Sequence, residues 1–303
     1  QRLQSADAVL FPFNSQDPSG KVSFILGVKG ILYFEMIAQG GNWGGPAKAE
    51  IHGSYKAIVD SPVWQLTQAL ATLTTRDGNT VRVPGFYDGI RPPNQEESLL
   101  INAALAKRND LQMQQMLGVS RWIDGRVGAD AMIDLLYQPT LNIDGIWGGY
   151  TGEGAKTVLP SKAYAKISMR LVPNQSSERI TKLFTDYFET KAPDYVSVKV
   201  MPHHGGEPVV VPTDSSAYRA ASKAMETTFG KVPIPKREGG SIPITAMFEE
   251  VLHAKSMLMG FGLDSDAIHS PNEHYGLFNF YKGIETIPYF YKYFAEFSAE
   301  EAS

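Results

Sequence analysis

The chain contains no cysteine, which excludes disulfides and thiolate metal sites and fits a cytoplasmic protein. No apolar stretch reaches the roughly 18 residues that would signal a membrane-spanning helix. Charge is not concentrated either. The 303 residues carry a formal net charge of -4, spread without long runs, so neither nucleic acid nor an anionic membrane surface is expected as a partner. There is no internal repeat and no low-complexity segment. The opening stretch QRLQSADAVLFPF has neither an initiator methionine nor the charged and apolar regions of a signal peptide, so it reads as the interior of a longer protein. What remains is an ordinary globular composition, 43% hydrophobic and 20% charged, in a chain long enough for two domains.

Apolar spacing sets out the elements. ILYFEMIA (31–38), TLNIDGI (140–146), AYAKISMRL (163–171) and VSVKV (196–200) read as strands. SPVWQLTQALATL (61–73), with Pro62 near its start, and SSERITKLFTDYFETK (176–191) carry apolar residues at helical spacing. In chain order these make β-α-β-β-α-β, the pattern of a ferredoxin-like split unit. It spans 27–206, with an insertion at 75–139 that holds PGFYDGIRPPNQEE and a long polar helix. PHHGGEPVVVPTD (202–214) reads as a linker. Beyond it a helix is expected at 214–229, another at 242–253, a strand at 256–261 and a helix at 279–298. With residues 1–26 these form a second α/β domain, 1–26 and 207–303, split by the first.

The residues with chemistry sit in loops. SMLMGFGLDSD runs out of a buried strand into AIHSPNEHYG, and the loop past a strand's carboxyl end is where open α/β sheets bind ligands. His269 is therefore a candidate metal ligand, although the chain shows neither H-E-x-x-H nor a cysteine pair. His52, in a polar glycine-containing segment, is either functional or a surface histidine. GGYTGEGAKT (148–157) lacks the lysine after glycine and the following helix of a phosphate loop, so it is read as a loop that lets backbone approach a ligand. Arg170 alternates with the core-facing residues of its strand and points away from that core, either solvated or clamping a carboxylate. REGGSIP (237–243) is either a helix cap at Ser241 or a set of backbone N–H groups offered to an anion. His203 and His204 are read as exposed.

Five of these stretches occur in the order of one family. HSPNE, REGGSIP, GYTGEGAKTVLPSKAYAKISMRLVPNQ, IHGS before PVWQL, and VPGFYDGIRPP resemble the co-catalytic zinc metallopeptidases that include carnosinase, the cytosolic Cys-Gly dipeptidases and related carboxypeptidases and deacylases. The resemblance covers essentially the whole chain. It implies a zinc-peptidase-type α/β domain, here partial, interrupted by a ferredoxin-like lid that also makes a homodimer. It implies two zinc ions per site, other divalent metals being alternatives, and His269 as a ligand. It implies that His52 reaches into the partner subunit's site and polarises the scissile carbonyl. By the same resemblance Thr157 and Arg170 hold the substrate carboxylate, and Gly240 with Ser241 forms a substrate-contacting turn.

The family's H-x-D ligand, bridging aspartate and Glu-Glu pair would lie upstream of Gln1. Where a further carboxylate ligand is expected the chain has Phe11, Pro12 and Phe13, with Asp7 and Asp17 nearby but off register. The expectation is a metal-dependent dipeptidase or exopeptidase acting on short peptides with a free carboxylate, this chain being part of it. The alternatives are a non-catalytic dimerisation or peptide-binding relative, or an N-acyl amino acid deacylase.

Overall fold

The computed structural model of the chain describes residues 3, 5–16, 22–105, 110–191, 197–202, 205–268 and 270–301. From the N-terminus the elements are β1 (Ala8–Gln16), β2 (Ser23–Ile25), β3 (Gly27–Val28), β4 (Gly30–Gln39), β5 (Ile51–His52) and α1 (Pro62–Ala71). Next come α2 (Gln95–Leu105), α3 (Asp110–Leu117), α4 (Gly128–Tyr137), β6 (Thr140–Trp147), β7 (Val158–Leu159), β8 (Lys162–Leu171), α5 (Ser177–Lys191) and β9 (Ser197–Pro202). The chain ends with β10 (Val209–Val210), α6 (Ser216–Phe229), β11 (Ile234–Lys236), α7 (Pro243–Leu252), β12 (Lys255–Leu263) and α8 (Leu277–Glu301). Among the described residues no helix is long and apolar enough to cross a membrane.

Chain contacts divide these elements into two units. One comprises Gln1–Lys29, Pro92–Leu136 and Pro208–Ser303, the other Gly30–Arg91 and Tyr137–Glu207. In the second unit β4, β6, β8 and β9 form an antiparallel sheet in the order β6-β8-β4-β9. With β4 as first strand and β9 as last, this is the ferredoxin-like order that the β-α-β-β-α-β pattern predicts. Alternation dictates which face is covered. Ala163, Ala165, Ile167, Met169 and Leu171 are buried on one face of β8, whereas Tyr164, Ser168 and Arg170 are half-buried and Lys166 is exposed on the other. The apolar face packs with Phe34 and Met36 against Leu66 and Leu70 of α1 and Phe184 and Phe188 of α5. Each such fully buried side chain contributes about 1.5–3 kcal/mol. Ser61 caps α1, accepting the Trp64 N–H, and Pro62 occupies its first turn.

The first unit holds a sheet in the order β1-β12-β2-β11, in which β1 runs parallel to β12 and β11 parallel to β2. Its core gathers Phe24, Met257, Met259 and Phe261 from the strands with Ala220, Ala221, Ala224 and Met225 of α6 and Phe290 of α8. The run SMLMGFG is buried at every position, as a central strand covered on both faces requires.

Two regions differ from the sequence expectation. The presumed linker carries β10, which pairs antiparallel with β3, Val209 opposite Val28 and Val210 opposite Gly27. A two-residue strand has no periodicity of its own, and this one exists through its partner. The expected insertion is also divided: residues 75–91 group with the ferredoxin-like sheet, and 92–136 group with the first unit. Its polar helix occupies Gln95–Leu105 and Asp110–Leu117, with 106–109 outside the described residues, and α4 is a further, apolar-faced helix. Among the contacts of 92–136 are a mostly buried ion pair and a close approach to a glycine backbone, both on the REGGSIP segment.

Candidate active site

His52 ends the short strand β5, paired through Val158 of β7, and its side chain caps the helical turn Gly53–Ala57. The Ser54 backbone N–H lies 3.2 Å from Nδ1, and the Ser54 hydroxyl is 2.7 Å from the same nitrogen. A nitrogen that takes a backbone N–H must be an acceptor, so the neutral ring carries its proton on Nε2. Nε2 is 3.2 Å from the Thr157 hydroxyl, which accepts from it. Gly53 N–H donates to the Thr157 carbonyl at 3.0 Å. The histidine and threonine, 105 positions apart, are thereby locked together on an exposed rim. The result is an imidazole of fixed orientation with Nε2 against Thr157.

Beside this pair lies a cavity of about 600 Å³, lined among others by Lys56, Trp64, Gly149, Tyr150 and Lys156. Its wall is the loop GGYTGEGAKT. Gly149 and Gly154 take φ of +84° and +81°, the Tyr150 hydroxyl donates to the Glu153 carbonyl at 2.6 Å, and Lys156 pairs with Glu50 at 2.5 Å. The strand β7 follows this loop, in keeping with the rejection of a phosphate cradle.

Arg170 lies elsewhere. It is half-buried on the open face of the sheet, at the far end of β8, with Ile31 and Thr140 as its strand neighbours. From Lys162 to Arg170 the strand runs about 26 Å at its usual rise per residue. Arg170 therefore lies about 26 Å from the start of β8, a strand that begins five residues after Thr157. The structure brings Thr157 to His52.

In the first unit, the segment 237–241 carries Gly240 and Ser241. The Gly240 carbonyl accepts the Lys29 N–H at 2.8 Å, and Gly240 is exposed while Ser241 is half-buried. The cap of α7 is Ile242, followed by Pro243, so Ser241 does not serve as the helix cap. Two residues the sequence reading passed over stand out. Glu97 of α2 makes a mostly buried ion pair with Arg237. Asp266, buried just past β12, accepts the Leu263 N–H at 2.9 Å through Oδ2, and its Oδ1 has no hydrogen-bond partner among the described residues. The His274 ring is 3.9 Å from that oxygen. Only spacing signals were available for them: N-x-x-E before an apolar run marks a capping box, and an acid just past a buried strand marks a tight turn.

His269, His203, His204 and Asp17 lie outside the described residues. Among the described residues no three of His, Cys, Asp or Glu come together as a metal site, so this donor set does not by itself fit a bound ion.

The profile of a peptidase dimerisation domain matches residues 27–196. The Cys-Gly metallodipeptidase of Saccharomyces cerevisiae is 28% identical over 97% of this chain and 60% of its own length. The Beta-Ala-His dipeptidase of Homo sapiens is 30% identical over 79% of this chain and 47% of its own. An M20 family metallo-carboxypeptidase of Sulfolobus solfataricus superposes with a TM-score of 0.85 at 28% identity, covering 96% of this chain and 64% of that one. The chain thus spans about half to two thirds of the length of these relatives.

Proposed function

The chain belongs to the M20 peptidase family, and we propose that it forms part of a metal-dependent dipeptidase or exopeptidase acting on short peptides with a free carboxylate. The observation that carries this reading is the His52–Thr157 pair, its imidazole oriented by Ser54, in a chain whose relatives are metallodipeptidases. With substrate in place of the threonine hydroxyl, Nε2–H turns to the scissile carbonyl and stabilises the oxyanion that develops on attack. Thr157 keeps the ring in plane. Arg170 offers a planar fork to the substrate carboxylate, and the turn at Gly240 and Ser241 lines the substrate.

We place the His52 and the Arg170 of one site on different subunits, since Arg170 lies a strand's length beyond the start of β8. The reading therefore includes a homodimer joined through the ferredoxin-like sheet, in which His52 and Thr157 enter the partner's site. Metal dependence accompanies the family. We take the metal to be zinc, two ions per complete site, with His269 the ligand that this chain supplies and the other donors outside it. A cytoplasmic location agrees with the absence of cysteine.

Arg170 supplies the test. Turnover of a free-acid dipeptide and of its C-terminal amide is compared in wild type and Arg170→Ala. Wild type should strongly prefer the acid. The variant should lose about 2–5 kcal/mol of transition-state stabilisation on the acid and little on the amide, since a desolvated charge pair is at stake only in the first. Arg170→Lys should rescue poorly, because an ammonium does not reproduce the fork. An unchanged acid-to-amide preference would remove Arg170 as the clamp and the exopeptidase reading with it.

A further inference from the structure

We propose that Glu97 and Arg237 are positioning residues whose ion pair sets the turn at Gly239–Ser241, so that the segment 92–136 works as a buttress of the substrate site. This rests on the reading above only in assigning that turn to substrate. Arg237 opens REGGSIP immediately after β11, and its guanidinium donates to Glu97 Oε1, each side chain being 11% exposed. Glu97 is fixed in turn by a capping box at the start of α2. Its Oε2 accepts the Asn94 N–H at 2.8 Å, and Asn94 Oδ1 accepts the Glu97 N–H at 2.8 Å. Both carboxylate oxygens are thus committed, one to its own helix and one to the turn.

The second contact comes from α4. A Cβ built on Gly239 would lie 3.1 Å from Leu135 Cδ1 and 3.3 Å from the Leu135 carbonyl, so backbone and helix are already touching. On the opposite side the Glu238 N–H donates to the Gly27 carbonyl at 3.0 Å and the Lys29 N–H to the Gly240 carbonyl at 2.8 Å. Consecutive glycines have the widest conformational freedom of any dipeptide, so order at Gly239–Gly240 must be imposed from outside. Here it is imposed from two sides, by strand backbone and by the helices of 92–136. A mostly buried charge pair is a firm clamp, because loss of either partner strands the other charge away from water.

A clamp that merely fastened 92–136 to its unit would act through stability, whereas one that sets the turn acts on substrate affinity. The experiment uses the full protein and Glu97→Gln, which keeps the shape and the acceptor for Asn94 but removes the charge, with Arg237→Lys as the second variant should the first not fold. Three readings are taken: KM and kcat on a free-acid dipeptide, the melting temperature, and hydrogen exchange resolved to individual amides. The expected result is a KM raised about tenfold to a hundredfold at nearly unchanged kcat, as for misplacement of a binding group. Exchange should be about tenfold faster at the Glu238 amide, whose acceptor is Gly27, while the amides of α6 stay protected. Unaltered exchange at 238–241, or a lowered melting temperature with KM unchanged, overturns the proposal. If wild type turns over no dipeptide, the proposed function fails, and exchange at 238–241 still decides whether the pair sets the turn.

Discussion

A histidine in IHGS declares little more than that it is not core, since its neighbours are polar and include a glycine. What the sequence could not disclose is the protonation pattern, which depends on the backbone N–H of Ser54 and on Thr157 far along the chain. The same holds for Gln175, buried between the Val172 N–H and the Phe86 carbonyl, which pins the VPGFYDGIRPP turns to the end of β8 through partners it meets only after folding. The histidine geometry has a measurable consequence. His52→Ala should lower kcat by about 10²–10³, the usual effect of losing one oxyanion donor. Ser54→Ala leaves the backbone N–H on Nδ1 and removes only the hydroxyl, so its loss should be far smaller, with KM little changed. Steady-state kinetics on the two variants checks the order, and equal losses would show that the hydroxyl, not the backbone, sets the tautomer.

Elements were legible where a pattern repeats. Strict alternation along the whole of β8 announces that strand and names its buried face, and Ile180, Phe184 and Phe188 announce α5. Pairs of residues such as β3 and β10 announce nothing, because each is a strand only by virtue of the other. The division of 92–136 from 75–91 was equally silent. Contacts of 92–136 with its unit include Glu97 with Arg237, 140 positions apart, and Leu135 meeting a glycine that has no side chain to reveal a contact. β6 shows another kind of silence. It reads as a strand, yet Ile143, Ile146 and Trp147 are exposed, and it forms one edge of its sheet, with a bulge at Asp144. Exposed apolar residues on an edge strand are a template for pairing with another chain. If two copies join there, Ile146→Lys should place like charges across the two-fold axis and yield a monomer whose own fold is intact, because Ile146 is 52% exposed in the single chain. Sedimentation equilibrium beside thermal unfolding separates the two effects. An Ile146→Lys variant that remains dimeric would move the interface off β6.

For the molecule as a whole, the arrangement that matters is the separation of the two chemical groups of the lid. Thr157, bonded to His52, directly precedes β7, and Arg170 sits at the far end of β8, about 26 Å from that strand's start. The proposed site draws the two groups from two subunits. The consequence is a complementation that a one-subunit site forbids. Mix a His52→Ala protein with an Arg170→Ala protein under conditions that exchange subunits. Within the heterodimer, the site built on the His52→Ala subunit keeps its own Arg170 and receives the intact His52 of the other subunit. The second site lacks both. Each variant alone should be nearly inactive, and random exchange should restore about a quarter of the wild-type sites, half of the dimers being mixed and one of two sites in each being complete. If His52 and Arg170 served one subunit's site, every site in the mixture would lack one group and no activity would return. Subunit exchange confirmed by mass spectrometry, with activity still absent, would therefore place both groups in one subunit's site and withdraw the site shared between subunits.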